Sequence, residues 1–196
     1  MFGNICADRL MESKKNSLTS PCTNSLRHRV VLQAETLTTA SMSHQDFMRK
    51  AIALAVENVE NGGGPFGAVI VKDGEVVATG VNRVTPNNDP TAHAEVCAIR
   101  AACSKLGTFD LSGCVIYTSC EPCPMCLGAI YWAHLDKIFY GANQHDAAAV
   151  NFDDSFIYRE LELKPEKRNK PVENILHDEA QAPFNAWRRK SDKVEY

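Results

Sequence analysis

The sequence has no apolar run approaching the roughly 18 residues that a membrane-spanning helix needs, and no apolar N-terminal stretch of the kind that directs export. Both absences argue against a membrane-embedded or secreted chain. A basic surplus is missing too. With 21 Lys and Arg against 24 Asp and Glu, the net charge is −3, whereas strong nucleic-acid binders usually carry an excess of positive charge. No internal repeat is visible. Cysteine, by contrast, is plentiful at eight residues. That even number keeps a disulfide framework open, but a 196-residue chain that is 44% hydrophobic does not depend on covalent staples. Free thiols in a reducing cytoplasm are the expectation.

Residues 1–41 differ from the rest. They are rich in Ser and Thr, lack apolar periodicity and carry a charge of +2, which leaves about −5 on the remainder. A disordered leader with no chemical role is expected there. A transit peptide fits the Ser-rich, basic character, although Asp8, Glu12 and Glu35 weigh against it. A natural start at Met42 is a third reading.

From Ser43 onward the pattern becomes regular. HQDFMRKAIALAVENVENG places Phe47, Ile52, Ala55, Val56 and Val59 on one helical stripe that ends at Gly62–Gly64. PFGAVIV and EVVATGV, joined across Asp73-Gly74, predict a β-hairpin. DPTAHAEVCAIRAACSKLG predicts a helix with Asp89 as cap, Pro90 near its start and Gly107 at its end. CVIYTS reads as a strand, EPCPMCLGAIYWAHL as a helix and KIFYGA as a strand. The ending from FDDSFIYREL is polar, broken by prolines and not assignable. The order implies a three-layer α/β/α fold with a mixed sheet, antiparallel at the hairpin and parallel where helices cross over. Residues 42–150 form the expected core, and 151–196 a C-terminal segment of the same domain.

The chemistry centres on SCEPCPMC. Cys123 and Cys126, three apart, share a helix face, and a proline at 122 or 124 suits a first helical turn whose positive end favours thiolate. Read alone, this pair is a weak signal, and a thioredoxin-like redox motif is the competing reading. A closed structural zinc site would need two more ligands, usually from a second Cys-x-x-Cys, and there is none. His93, in TAHAEVCAIR, supplies a third ligand. Taken singly, His93 is a capping or core residue and Glu95 a first-turn acid. Together with the cysteines they describe three protein ligands and one open position, the arrangement of catalytic zinc.

His93-Ala94-Glu95 followed by Pro122-Cys123-Pro124-Met125-Cys126 resembles the cytidine-deaminase-like zinc deaminases over about residues 43–143. The resemblance implies one Zn²⁺ held by His93, Cys123 and Cys126, with Glu95 as a proton-transferring group that does not bind metal. It also implies a substrate pocket lined by Phe66, Asn82 and Ala94. Without it, Phe66 reads equally as core and Asn82 as a turn residue.

The zinc motif fixes the reaction and not the base. PTAHAEVCAIR, TSCEPCPMCLGAIYWA, FDDSFIY and FNAWRRKSDKVEY together resemble the small bacterial-type guanine deaminases. That likeness implies hydrolysis of guanine to xanthine and ammonia, a step of purine catabolism, with Asp154 binding the base and passing a proton to the leaving amine. It further implies a homodimer that exchanges residues 151–196, so that Tyr196 closes the neighbour's pocket. Read alone, Asp154 is a helix cap and Trp187 is core. The rival readings are a guanosine deaminase, a tRNA adenosine deaminase, and an interaction protein whose structural zinc takes Cys120 as a fourth ligand.

Overall fold

The computed structural model describes residues 41–196; the leader expected over 1–41 falls outside them except for its last residue. Helix α1, His44–Glu60, opens with a capping box in which the Ser43 and Asp46 side chains each accept from the other's backbone N–H. Such a box contributes about 1 kcal/mol to a helix end. Strands β1, Gly67–Lys72, and β2, Glu75–Val81, follow as the expected hairpin. Asp73 and Gly74 between them take φ values of 50° and 80°, as a two-residue hairpin loop demands.

A short helix α2, Val84–Asn87, leads to α3, Ala94–Leu106, then β3, Cys114–Cys120, α4, Pro124–Trp132, and β4, Lys137–Ala142. The sheet order is β2-β1-β3-β4. β1 is antiparallel to both β2 and β3, while β3 and β4 are parallel. Each helical crossover therefore joins strands running the same way, although α3 carries the chain past β1 to reach β3.

Alternation along β1 and β3 makes the three layers. Ala68, Ile70 and Ile116 face Ala94, Ala98, Ala102 and Ile130 of α3 and α4. Val69, Val71 and Tyr117 face Phe47 and Ala51 of α1. Two glycines bring helix backbone against strand backbone. A Cβ on Gly67 would lie 2.4 Å from the Ala51 carbonyl oxygen, and one on Gly80 would lie 2.2 Å from that of Ala94. No side chain fits at either contact.

Two expectations need correction. The buried stripe of α1 is Phe47, Ala51, Ala55 and Asn58, whereas Ile52, Val56 and Val59 are exposed. Close approach to Gly67 selects the small alanines for the sheet and turns the larger aliphatics outward. Helix α3 begins at Ala94 with His93 at its N-cap. Asp89 instead closes a local turn, accepting from the N–H and hydroxyl of Thr91, and so the helix starts later than Asp89-Pro90 suggested.

Beyond β4 comes α5, Gln144–Ala148, and the unassigned ending contains α6, Ser155–Glu162, and α7, Ala182–Arg189. Neither α6 nor α7 buries a residue. No helix among the described residues is long and apolar enough to cross a membrane.

Candidate metal centre

His93 and Cys123 occupy equivalent places, the N-caps of α3 and α4, with extended backbone and no capping bond from either side chain. Both side chains are thereby available for another partner. Pro124 is the first residue of α4 and fixes the turn that aims Cys123. The two helix starts converge. His93 Nδ1 lies 3.6 Å from Cys123 Sγ and 3.5 Å from Cys126 Sγ. A tetrahedral zinc with sulfur at about 2.3 Å and nitrogen at about 2.0–2.1 Å has a nitrogen–sulfur edge of about 3.6 Å. The donor set and its spacing therefore fit zinc.

Cys123 is held as thiolate, its pKa depressed to about 4, chiefly because the Cys126 thiol hydrogen-bonds to it, with His93 adding a second bond. The same hydrogen bond holds the proton on Cys126 and pushes its pKa up, with burial adding to the shift. The hydrogen bond to Cys123 raises His93 in turn. One thiolate already formed beside an imidazole is a site prepared for a divalent cation.

Glu95 is 6% exposed, and its Oε2 stands 3.3 Å from Cys126 Sγ. Burial raises its pKa, so the carboxyl takes up a proton more readily than an exposed glutamate. It lies beside the ligand cluster without belonging to it. Cys120 is also outside the cluster: its Sγ bonds the Asn143 carbonyl at 3.6 Å, and burial lifts its pKa to about 11. Among the described residues the cluster has three ligands and no fourth from protein, which removes the support for a closed structural site.

A cavity of about 520 Å³ opens onto the cluster, and Phe66, Asn82, His93, Glu95, Cys123 and Asp154 all line it. Asn82 is buried, and its backbone N–H donates to the Phe66 carbonyl at 3.1 Å. Asp154 sits at the N-cap position of α6 without capping it; Asp153 accepts from the Ser155 N–H instead. The Asp154 carboxylate is thus spared local duty, and its pKa is raised first by burial and then by the Cys123 charge. Phe152 meets Phe66 edge-on at 5.0 Å between ring centroids.

Two expected residues are not brought to the cavity. Ala94 is buried at the start of α3 and is not among the residues lining the cavity. Tyr196 is exposed and rests between Phe109 and Trp132, outside the lining of its own chain. Reading the sequence also missed lining residues without a motif. Glu121, whose Oε2 accepts the Gln144 N–H at 3.1 Å, has only its place beside Pro122 as a signal.

These features define a zinc-dependent aminohydrolase site. Residues 41–142 match the family described as cytidine and deoxycytidylate deaminase zinc-binding region, and the chain belongs to that family. It is 56% identical to a guanine deaminase of Bacillus subtilis over 156 residues, covering 79% of this chain and all of that protein. The crystal structure of guanine deaminase from Bacillus subtilis superposes with a TM-score of 0.77 at the same identity and 79% coverage of this chain, 99% of that one. A protein solved in complex with 2,6-diaminopurine is 37% identical, with a TM-score of 0.55 over 56% of this chain and 62% of that one. A tRNA-specific adenosine deaminase of Aquifex aeolicus is 41% identical over 101 residues, 52% of this chain and 67% of that protein.

Proposed function

We propose that this chain hydrolyses guanine to xanthine and ammonia, with Zn²⁺ held by His93, Cys123 and Cys126. The carrying observation is the three-ligand cluster with buried Glu95 beside it, opening onto a cavity that also holds Asn82 and Asp154. The likeness to Bacillus subtilis guanine deaminase supports the choice of base. It covers 79% of this chain, whereas the likeness to the tRNA deaminase covers 52%. An overall net charge of −3 also disfavours a tRNA substrate.

Zinc, when bound, supplies Lewis acidity that lowers the pKa of water to around 7. The chain's own groups do the rest. Glu95 takes one proton from the attacking water and gives it to a ring nitrogen of the purine, then takes the second from the hydroxyl so formed on C2 and passes it towards the departing nitrogen. The carbon–oxygen bond forms at C2, the carbon–nitrogen bond to the 2-amino group breaks, and ammonia leaves. Asp154 accepts from the N1–H and 2-amino donors of guanine and relays a proton to the leaving amine. Asn82 offers an amide that both donates and accepts along the heterocycle edge. Phe66 stacks on the ring, braced by Phe152.

The C-terminal segment completes this reading. Helix α7 is exposed along its length and α6 is at most half-buried, and Phe156, Phe184 and Trp187 are exposed. Tyr196 lies outside its own chain's cavity. Both facts support a homodimer that exchanges residues 151–196, each tail closing the neighbour's pocket. Six described cysteines are free, and a Cys-x-x-Cys pair that is to bind metal needs reducing surroundings, which supports a cytoplasmic setting. The test is stoichiometric conversion of guanine by the zinc-loaded protein, following xanthine and ammonia together. Equal amounts of both are expected. No turnover with zinc bound at one per chain contradicts the proposal.

A further inference from the structure

Asn58 is an anomaly in α1. It is 3% exposed, the one polar residue on a buried stripe otherwise made of Phe47, Ala51 and Ala55. An amide so placed needs partners, since burying it unpaired is costly. Both of its partners belong to the active-site wall. Asn58 Nδ2 donates to the Gly64 carbonyl and to the Asn82 carbonyl, each at 2.8 Å. Gly64 and Asn82 line the cavity, and Asn58 does not.

The surroundings leave little freedom at this contact. A Cβ on Gly63 would lie 2.3 Å from Asn58 Nδ2 and 2.5 Å from the Asn82 carbonyl oxygen. One on Gly64 would stand 3.0 Å from the Asn82 side-chain oxygen and its carbon. The loop after α1 therefore folds directly over the junction of Asn58 and Asn82. Asn82 is gripped at both ends of its backbone: its N–H by Phe66 O at 3.1 Å and its C=O by Asn58. With those two points held, and with Asn82 Oδ1 accepting from the Val84 N–H at 3.3 Å, the side chain projects into the cavity wall from a tethered strand end.

We infer that Asn58 is a positioning residue: by holding the carbonyls of Gly64 and Asn82 it sets the Asn82 amide against the purine, without touching substrate. This role rests on the deaminase reading above. It differs from a general structural role in one respect. A residue acting through Asn82 loses its importance once the Asn82 side chain is gone.

The experiment is a double-mutant cycle on the full zinc-loaded chain, reading kcat/KM for guanine and zinc per chain for wild type, Asn58→Ala, Asn82→Ala and the double variant. Asn58→Ala is expected to keep zinc and lose about 10–100-fold in kcat/KM, the range that misplacing a substrate-holding group carries. In the Asn82→Ala background the same change is expected to cost less than about 2-fold. Equal fold losses in both backgrounds overturn the positioning role. Asn58→Ser, whose hydroxyl keeps one donor, is expected to recover part of the loss, and it replaces alanine in the cycle if Asn58→Ala does not fold. Zinc-loaded wild type that leaves guanine untouched overturns the guanine reading and this role with it. That result is distinct from an active wild type with additive losses.

Discussion

Helices α3 and α4 bury residues against the sheet and present His93 and Cys123 at their N-caps, whereas α6 and α7 bury none and contribute Asp154 and the tail. The first region is packed on the sheet. Its metal ligands sit at helix starts anchored by Ala94, Ala98, Cys126 and Ile130, all buried. The second keeps its apolar residues in the open, Phe156, Leu161, Phe184 and Trp187 among them. The proposed exchange with a second copy would cover these residues. Under the proposed function, bond-breaking draws on the first region, and choice of base on Asp154 and the tail of the second.

The largest effects should fall on the first region. Cys126→Ala is expected to lose zinc and all turnover, measured by metal content and ammonia release. Glu95→Gln should retain one zinc per chain and lose about 10²–10⁴-fold in kcat, the range for removing a general acid–base group. Loss of zinc from Glu95→Gln would place Glu95 among the ligands and undo the division of labour at the cluster.

The second half is best broken by complementation. A Glu95→Gln chain with its tail and a chain truncated after Gln181 with Glu95 intact should each be nearly inactive. Refolded together, they should regain turnover, because the truncated chain's sound site receives its partner's tail. Mixed chains as inactive as the separate ones would mean that each tail serves its own site. Smallest of all is Cys120→Ala, which should leave the zinc content at one per chain. A loss of metal there would revive Cys120 as a fourth ligand, contrary to its bond with Asn143 O.

The same contrast explains what the sequence disclosed. The hairpin at Asp73-Gly74, the helix end at Gly107 and the Cys123–Cys126 pair are local signals, set by backbone conformation or by spacing within a turn, whereas His93, 30 residues before Cys123, was legible only as part of a two-part motif. The inward face of α1 was not local. Its apolar letters name Ile52, Val56 and Val59, yet backbone contact at Gly67 buries Ala51 and Ala55. Asn58 left no mark for the same reason: a polar residue on a helix reads as solvent-facing until the carbonyls of Gly64 and Asn82 arrive from elsewhere in the chain. The ending after β4 resisted assignment because the partners of its helices are not in its own sequence neighbourhood. Asp154 read alone as a cap, and only its neighbour Asp153 showed that the carboxylate is spared that task.

The most direct measurement is ammonia release by the purified, zinc-loaded chain from guanine, guanosine, adenine, cytosine and a tRNA anticodon stem, assayed side by side. Release from guanine far above every other substrate is the predicted result. Turnover of guanosine or of the tRNA stem with guanine left intact would contradict the account.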